Sequence, residues 1–279
     1  MGQWTFFNHD FLKEEDTKLH FRDLSIQRGY GVFDFFKVIN SVPIFLEEHL
    51  NRFYFSASQM RLEVHYSKEE LRQIIYELLK KNNQTDTGVR ITLTGGYSTD
   101  GYQISNPNLI IALHSLSFPA PDQFEKGVKL ITYEYQRQLA QVKTIDYLMG
   151  IWLQSIIKQN NADDVLYHQK EMVSECPRSN FFIVSQNGVL ITPSKNILNG
   201  VMRSKIIEVA KANFKVEERD LFVDEIKTAR EAFITSTTKT ILPVKQIDNY
   251  MFSSSRPITS VVFRKVLEVQ QNFINSTSR

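Results

Sequence analysis

The chain has 279 residues, room for two modest domains or one large one, with a formal net charge of +2 and 42% hydrophobic residues. So even a charge balance leaves no electrostatic footprint for nucleic acid or anionic lipid, and no apolar run approaches the ~20 residues of a spanning helix. A single cysteine, Cys176, excludes an internal disulfide framework, and scattered histidines without paired spacing argue against a metal site. A soluble protein of the cytoplasm is expected, since no charged-then-apolar signal segment opens the sequence.

In chain order, VFDFFKVI (32–39) and VPIFL (42–46) read as a hairpin around Asn40-Ser41. EEHLNRFYFSASQM (47–60) follows as an amphipathic helix with Leu50, Phe53, Tyr54 and Ala57 on one face. SKEELRQIIYELLKKN opens with a capping box, Ser67 with Glu70, and carries Leu71, Ile74, Ile75 and Leu78 at helical spacing. Two strand-like runs, VRITLT (89–94) and NLIIALH (108–114), are joined by the loop GGYSTDGYQISNP. SLSFPAPDQF, with two prolines and no periodicity, marks a domain boundary. Domains are therefore expected over 1–117 and 125–279, with a linker at 118–124.

The second half opens with VKLITYEY (128–135). Lys143 then stands at the mouth of an apolar run over 145–152, broken only by Asp146, which reads as a buried helix. FFIVSQ-NG-VLIT carries the strongest hairpin signal in the chain, because Asn187 and Gly188 both tolerate positive φ. GVMRSKIIEVAKANF (200–214) is a helix, AFITSTTKTILPV (232–244) a strand run interrupted at a Ser/Thr turn, and a last helix starts near 258. This order of elements gives an α+β chain with two unequal halves.

A lysine beside an apolar run ordinarily lays its stem on the helix and keeps its amine in water. A desolvated amine instead loses its proton readily and can form a Schiff base with an aldehyde. RGYGVFDFFKV (28–38), EEHLNRFYFSA (47–57), KTIDYL (143–148), VSECPRSNFFIV (173–184), NGVMR (199–203) and TSTTKTILPV (235–244) occur in this order. The ordered set resembles the class IV pyridoxal-phosphate-dependent aminotransferases, the family of branched-chain and D-amino-acid aminotransferases and aminodeoxychorismate lyase. The resemblance runs from about 28 to 245 and implies a two-domain α+β fold of the D-amino-acid-aminotransferase type.

It also implies roles. Lys143 would carry the Schiff base to pyridoxal 5'-phosphate and shuttle a proton, and Glu175 would pair with the protonated pyridine nitrogen. Arg52 would hold the phosphate, joined by the backbone N–H groups of Val201 and Met202 at a helix start and by Ser236 and Thr237. The family often has Thr where Met202 stands, which removes a hydroxyl and leaves the amides. Tyr147, one helical turn along from Lys143, would reach the ring oxygen. Tyr30, Phe33, Phe35, Lys37, Tyr102 and Thr238 would line the substrate pocket.

The implied reaction is transfer of an amino group from a hydrophobic, branched-chain-like amino acid to a 2-oxo acid such as 2-oxoglutarate, in a homodimer. Relatives specific for D-amino acids clamp the substrate carboxylate with Arg and His on the loop where this chain has Asp100 and Tyr102. An acid cannot do that, so the D-amino-acid and (R)-amine alternatives rank lower, with Lys37 the nearest substitute cation. The lyase alternative is weakened by the want of a small hydroxyl residue near Lys143, while Asp34 stands where transaminases usually carry Glu. Arg178, beside Glu175, either reads a second substrate carboxylate or points outward.

Overall fold

The computed structural model describes residues 2–120 and 122–277. It divides into two compact units. The first holds Met1–Leu116 with Val142–Asp146 and Phe273–Arg279; the second holds Ser117–Gln141 and Tyr147–Asn272. Lys143, expected in the C-terminal domain, thus packs with the N-terminal unit, and the reason is local. The Phe33 N–H donates to the Lys143 carbonyl (3.0 Å) and the Ile145 N–H to that of Gly31 (3.1 Å), so the segment lies along a strand of that unit. Pro121, within the expected linker, is outside the described residues.

In the first unit the chain runs β1 (Trp4–Phe7), β2 (Asp10–Lys13), α1 (Leu24–Arg28), β3 (Gly31–Ile39), β4 (Val42–Pro43), α2 (Leu46–Gln59), α3 (Lys68–Asn82), β5 (Thr87–Thr94) and β6 (Leu109–His114). The strands form an antiparallel sheet in the order β2-β1-β6-β5-β3-β4. The β1–β2 hairpin was not read from the sequence. Asn40 and Ser41 take left-handed φ of 51° and 64°, which closes β3 onto β4 as their residue types suggested. The Ser67–Glu70 capping box starts α3, and Asn83 ends it in the left-handed region.

β3 is buried on both sides because its residues alternate between two environments. Val32, Phe36 and Val38 point to one face, in the same core as Leu50, Phe53 and Ala57 of α2. Phe33, Phe35 and Lys37 point to the other, opposite Thr92, Arg90 and Gly88 of β5. Burying that much apolar side-chain surface is worth about 1.5–3 kcal/mol per large residue, which fixes the strand register that the second face depends on.

The second unit continues with α4 (Gln123–Lys126), β7 (Val128–Glu134), α5 (Leu148–Trp152), α6 (Gln154–Gln159), β8 (Asp164–Gln169), β9 (Met172–Val173), β10 (Glu175–Cys176), β11 (Ser179–Val184) and β12 (Leu190–Thr192). It ends with α7 (Val201–Lys211), β13 (Val216–Glu218), α8 (Val223–Ile226), β14 (Glu231–Thr235), β15 (Leu242–Ile247), β16 (Tyr250–Met251) and α9 (Pro257–Thr277), whose last residues count with the first unit. The main path of its sheet is β13-β12-β11-β14-β15-β7-β8-β9, with β10 paired to β11 and β16 to β15. β7 joins both β8 and β15 in parallel, and the other pairs along β11, β14 and β15 are antiparallel. The core is built from Leu166, Phe181, Ile183, Ala232, Ile234 and Val244.

Two local expectations change. The run after Lys143 is not a buried helix: α5 starts only at Leu148, and Leu148, Ile151 and Trp152 are 71%, 71% and 56% exposed. Hydrophobicity alone set that reading, and an apolar run does not say which surface covers it. At 187–188 only Gly188 has positive φ, +77°. The connection is longer than two residues, closed by Ser185, whose N–H donates to the Val189 carbonyl and whose hydroxyl accepts from the Val189 N–H.

Candidate active site

Lys143 is half-buried on a backbone tied down from two sides. Its N–H donates to the hydroxyl of Ser56 on α2 (3.1 Å), and its carbonyl is held by β3. The ammonium nitrogen stands 4.5 Å from the centre of the Phe33 ring. Arg90 places its guanidinium 4.0 Å from the centre of the same ring, so Phe33 meets two cations. The Arg90 contact follows from the strand register, since Thr92 faces Phe33 and Arg90 faces Phe35 on the same side of the sheet.

Gly88 is needed beside them. A Cβ there would come within 2.4 Å of the Phe35 ring, which folds over the space a side chain would fill. Lys37, next along this face, is only 6% exposed, and burial pushes its ammonium pKa down to about 8. Tyr30 donates its hydroxyl to the Met60 carbonyl (2.6 Å). Tyr102 is 84% exposed, so within this unit it lines nothing, contrary to the expectation for a pocket residue. It belongs to a loop gathered around Asp100, whose carboxylate accepts from the Ser98 hydroxyl and the Tyr102 and Gln103 N–H groups.

Arg52 is fixed by an acid that the sequence reading weighed only as a family position. Asp34 on β3, wholly buried, receives the Arg52 Nε (2.8 Å) and Nη2 (2.8 Å) as a two-pronged pair, and His49 Nδ1 lies 2.7 Å from the same carboxylate. Burial by itself raises the Asp34 pKa, but the Arg52 and His49 charges and hydrogen bonds outweigh it and hold the acid well below the usual carboxylate range. The one helical turn between His49 and Arg52 brings both onto the strand-facing side of α2.

In the second unit Glu175 is 4% exposed at the start of β10. A buried carboxylate needs charge and hydrogen-bond compensation, and three groups supply it. Arg137 donates Nε to Oε1 (2.9 Å), while Asn180 Nδ2 (3.3 Å) and the Leu198 N–H (2.9 Å) donate to Oε2. Arg137 also donates to the Ala140 carbonyl, which anchors the loop that carries it. Neither Arg137 nor Asn180 was singled out in the sequence. Arg137 lies 38 residues from its partner in an irregular stretch, and no local pattern announces such a contact.

α7 opens at Gly200 as the sequence suggests, leaving the N–H groups of its first turn without intrahelical acceptors. Gly200 has an ordinary φ of −68°, but a Cβ there would stand 2.1 Å from the Asn180 side-chain oxygen. The residue is glycine because of that approach. Val201 and Met202 are buried, and Met202 accepts a hydrogen bond at sulfur from Gln270 (3.5 Å).

The Ser236, Thr237 and Thr238 turn is half-buried and leaves β14 where Thr235 faces Asn180. Its hydroxyls and amides lie at the same sheet end as the Glu175 turn. Tyr147 caps α5 rather than following Lys143 on a helix, because Val142–Asp146 is extended, with Thr144 bridged to Val32. Arg178 is exposed on the turn between β10 and β11 and acts electrostatically on Asp164. Burial, with Asp164 nearby, pushes the Cys176 thiol well up, so it is no nucleophile. Within the second unit the compensated acid, hydroxyl turn and open helix start form a donor set that fits a phosphorylated pyridine ring.

Comparison with known proteins gives the family directly. The sequence model of "Amino-transferase class IV" matches residues 31–247. D-alanine aminotransferase of Listeria monocytogenes serotype 1/2a (strain 10403S) is 31% identical over 272 residues, covering 94% of each chain. That of Staphylococcus haemolyticus is 27% identical over 281 residues, covering 98% of each. Among solved structures, the branched-chain amino acid aminotransferase of Escherichia coli superposes with a TM-score of 0.85 at 23% identity, over 97% of this chain and 95% of that one. A putative 4-amino-4-deoxychorismate lyase of Legionella pneumophila does so at 0.84 and 25% identity, over 91% and 96%. This chain belongs to the class IV aminotransferases, which depend on pyridoxal phosphate.

Proposed function

We propose that this enzyme transfers the amino group of a hydrophobic, branched-chain-like amino acid to a 2-oxo acid such as 2-oxoglutarate, as a cytoplasmic homodimer. The observation that carries the reading is the half-buried Lys143 amine, on a backbone pinned to β3 and α2 and standing over Phe33. Lys143 would hold the cofactor aldehyde through Nζ, and the same nitrogen would take and return the proton at the substrate Cα. Glu175 holds the ring nitrogen, with Arg137, Asn180 and Leu198 keeping the carboxylate oriented. Pyridoxal phosphate, when bound, supplies the electron sink for the pair released at Cα.

Arg52, Ser236, Thr237 and the first amides of α7, at Val201 and Met202, take the phosphate, and Tyr147 takes the ring oxygen. Phe33 and Phe35 give the donor's side chain an apolar wall, and Lys37 supports the substrate carboxylate. Tyr30, Tyr102 and Thr238 complete the substrate-binding set, Tyr102 only after its exposed loop folds inward or meets a second copy.

One observation favours a second reading, transamination of D-alanine: the 31% identity to a D-alanine aminotransferase over 94% of both chains. Against it, the 95–107 loop carries no lysine, arginine or histidine and is organised around Asp100. A panel of L- and D-amino acids with 2-oxoglutarate, scored for glutamate of each hand, decides. L-Leucine, L-isoleucine or L-valine leading the panel supports the first reading. D-Alanine leading it replaces that reading by the second, and silence with pyruvate released from aminodeoxychorismate replaces both by a lyase.

A further inference from the structure

Lys239 is a charged residue in the second unit with no part in the chemistry above. It follows the Ser236, Thr237 and Thr238 turn, and its amine reaches out of that turn to two other elements. It donates to the Ser179 hydroxyl at 2.9 Å, and it stands 3.8 Å from the carboxylate of Asp164 at the start of β8. Ser179 and Asp164 are 6% and 8% exposed. Asp164 is held in turn by the Val165 N–H (2.9 Å).

Three hydrogen bonds close the turn on itself. The Thr240 N–H donates to the Ser236 carbonyl (2.9 Å), the Lys239 N–H to the Ser236 hydroxyl (3.3 Å), and Thr235 donates its hydroxyl to the Thr240 carbonyl. None of these bonds leaves the 235–240 stretch. The Lys239 amine does, and Ser179 ends the same short turn that begins at Glu175.

We propose that Lys239 is a positioning residue. By clamping Ser179 and Asp164 it holds the hydroxyl turn in register with the Glu175 carboxylate, so that phosphate and ring nitrogen are gripped at a fixed separation. The inference rests on the reading that Ser236 and Thr237 take the phosphate. A half-buried cation, 19% exposed, shared between a hydroxyl and a carboxylate loses freedom that a fully solvated lysine keeps, and that makes it a tie between the elements.

The test compares pyridoxal phosphate with pyridoxal, which has the ring and aldehyde but no phosphate, by absorbance titration of the purified full chain. In the wild type the phosphorylated form binds far more tightly. Lys239→Met is expected to lower the ratio of the two affinities about tenfold or more, the scale on which small misplacements act, while pyridoxal itself binds nearly as before. Lys239→Arg restores part of the ratio. Ser179→Ala, which removes the acceptor and keeps the amine, shares the loss.

Lys239→Met with Asp164→Asn removes both charges of the pair, and the same fall in ratio is expected there, which covers the case in which the single variant does not fold. An unchanged ratio in both Lys239 variants overturns the proposal. So does a loss confined to Lys239→Met with Ser179→Ala unaffected, because the amine then acts on the phosphate by itself. A wild type that shows no preference for the phosphorylated form sinks the phosphate reading itself, and is told apart by needing no variant.

Discussion

Lys143 illustrates how much a single amine depends on what lies under it. The Phe33 ring at 4.5 Å and the pinned backbone restrict where the nitrogen can go. Lys143→Ala is expected to abolish transamination, and borohydride treatment of the cofactor-loaded wild type to fix a label at Lys143. A label on another lysine overturns the assignment. Lys37 gives a prediction with a sign. Its native pKa is lowered to about 8 from 10.5, so between those values the unfolded chain binds the extra proton and stability rises with pH. Below pH 8 the whole penalty is present, about 3 kcal/mol at 1.36 kcal/mol per pKa unit. Lys37→Met is therefore expected to raise the unfolding free energy at pH 7 and to flatten its rise from pH 8 to 10.5, while KM for the amino donor increases. Denaturation curves across that range, run beside KM measurements, check both; an unchanged KM removes Lys37 from the substrate site. Of these residues Lys143, Glu175 and Lys37 were singled out from the sequence, since each lies within a motif. Arg137, Asn180 and Lys239 were not, because what defines them is a contact made across the fold.

Among the elements, β3 carries the most. Period-two alternation was visible in VFDFFKVI, and the faces it separates are real: one meets α2, the other meets β5. What alternation concealed is that Asp34 falls on the helix-facing side, where a lone acid has no place. The explanation lies in α2, whose His49 and Arg52 reach it. Asp34→Asn removes the charge and leaves a guanidinium 10% exposed beside an amide, at a cost of about 3–5 kcal/mol for breaking a buried pair. The native pKa is lowered, so Asp34 contributes its stability above its unfolded value near 3.8 and loses it as pH falls through the folded value. Urea unfolding at pH 7 should show the loss in the variant, and acid titration should bring the two proteins together at the lowest pH. Equal stability at pH 7 refutes the pairing. The failure at α5 has the opposite origin. The 145–152 run is apolar enough for a core, yet its first residue, Ile145, bonds to Gly31 of β3 and its last are exposed. Composition reports how apolar a segment is, whereas burial depends on a partner that the segment does not encode.

For the whole molecule the same exposed helix becomes informative. Leu148, Ile151 and Trp152 fall on one face of α5 by their i, i+3, i+4 spacing, and Leu139, 59% exposed, belongs to the same unit. Large apolar side chains grouped this way on a surface mark an association site more often than single exposed ones do. The proline-bearing stretch expected as a linker over 118–124 falls inside the second unit, which begins at Ser117. The return of Val142–Asp146 to the first unit was not legible, because backbone pairing with a strand more than 100 residues earlier leaves no trace in local composition. Sedimentation of the purified protein is expected to give twice the chain mass of 32.5 kDa at micromolar concentration. Ile151→Glu places a charge in the centre of the apolar face, where burial without a partner is costly. It should shift the mass to that of one chain and leave far-ultraviolet circular dichroism unchanged, since the position is already exposed in a single copy. A dimer that survives Ile151→Glu removes α5 from the interface, and a wild type that sediments as one chain removes the homodimer altogether.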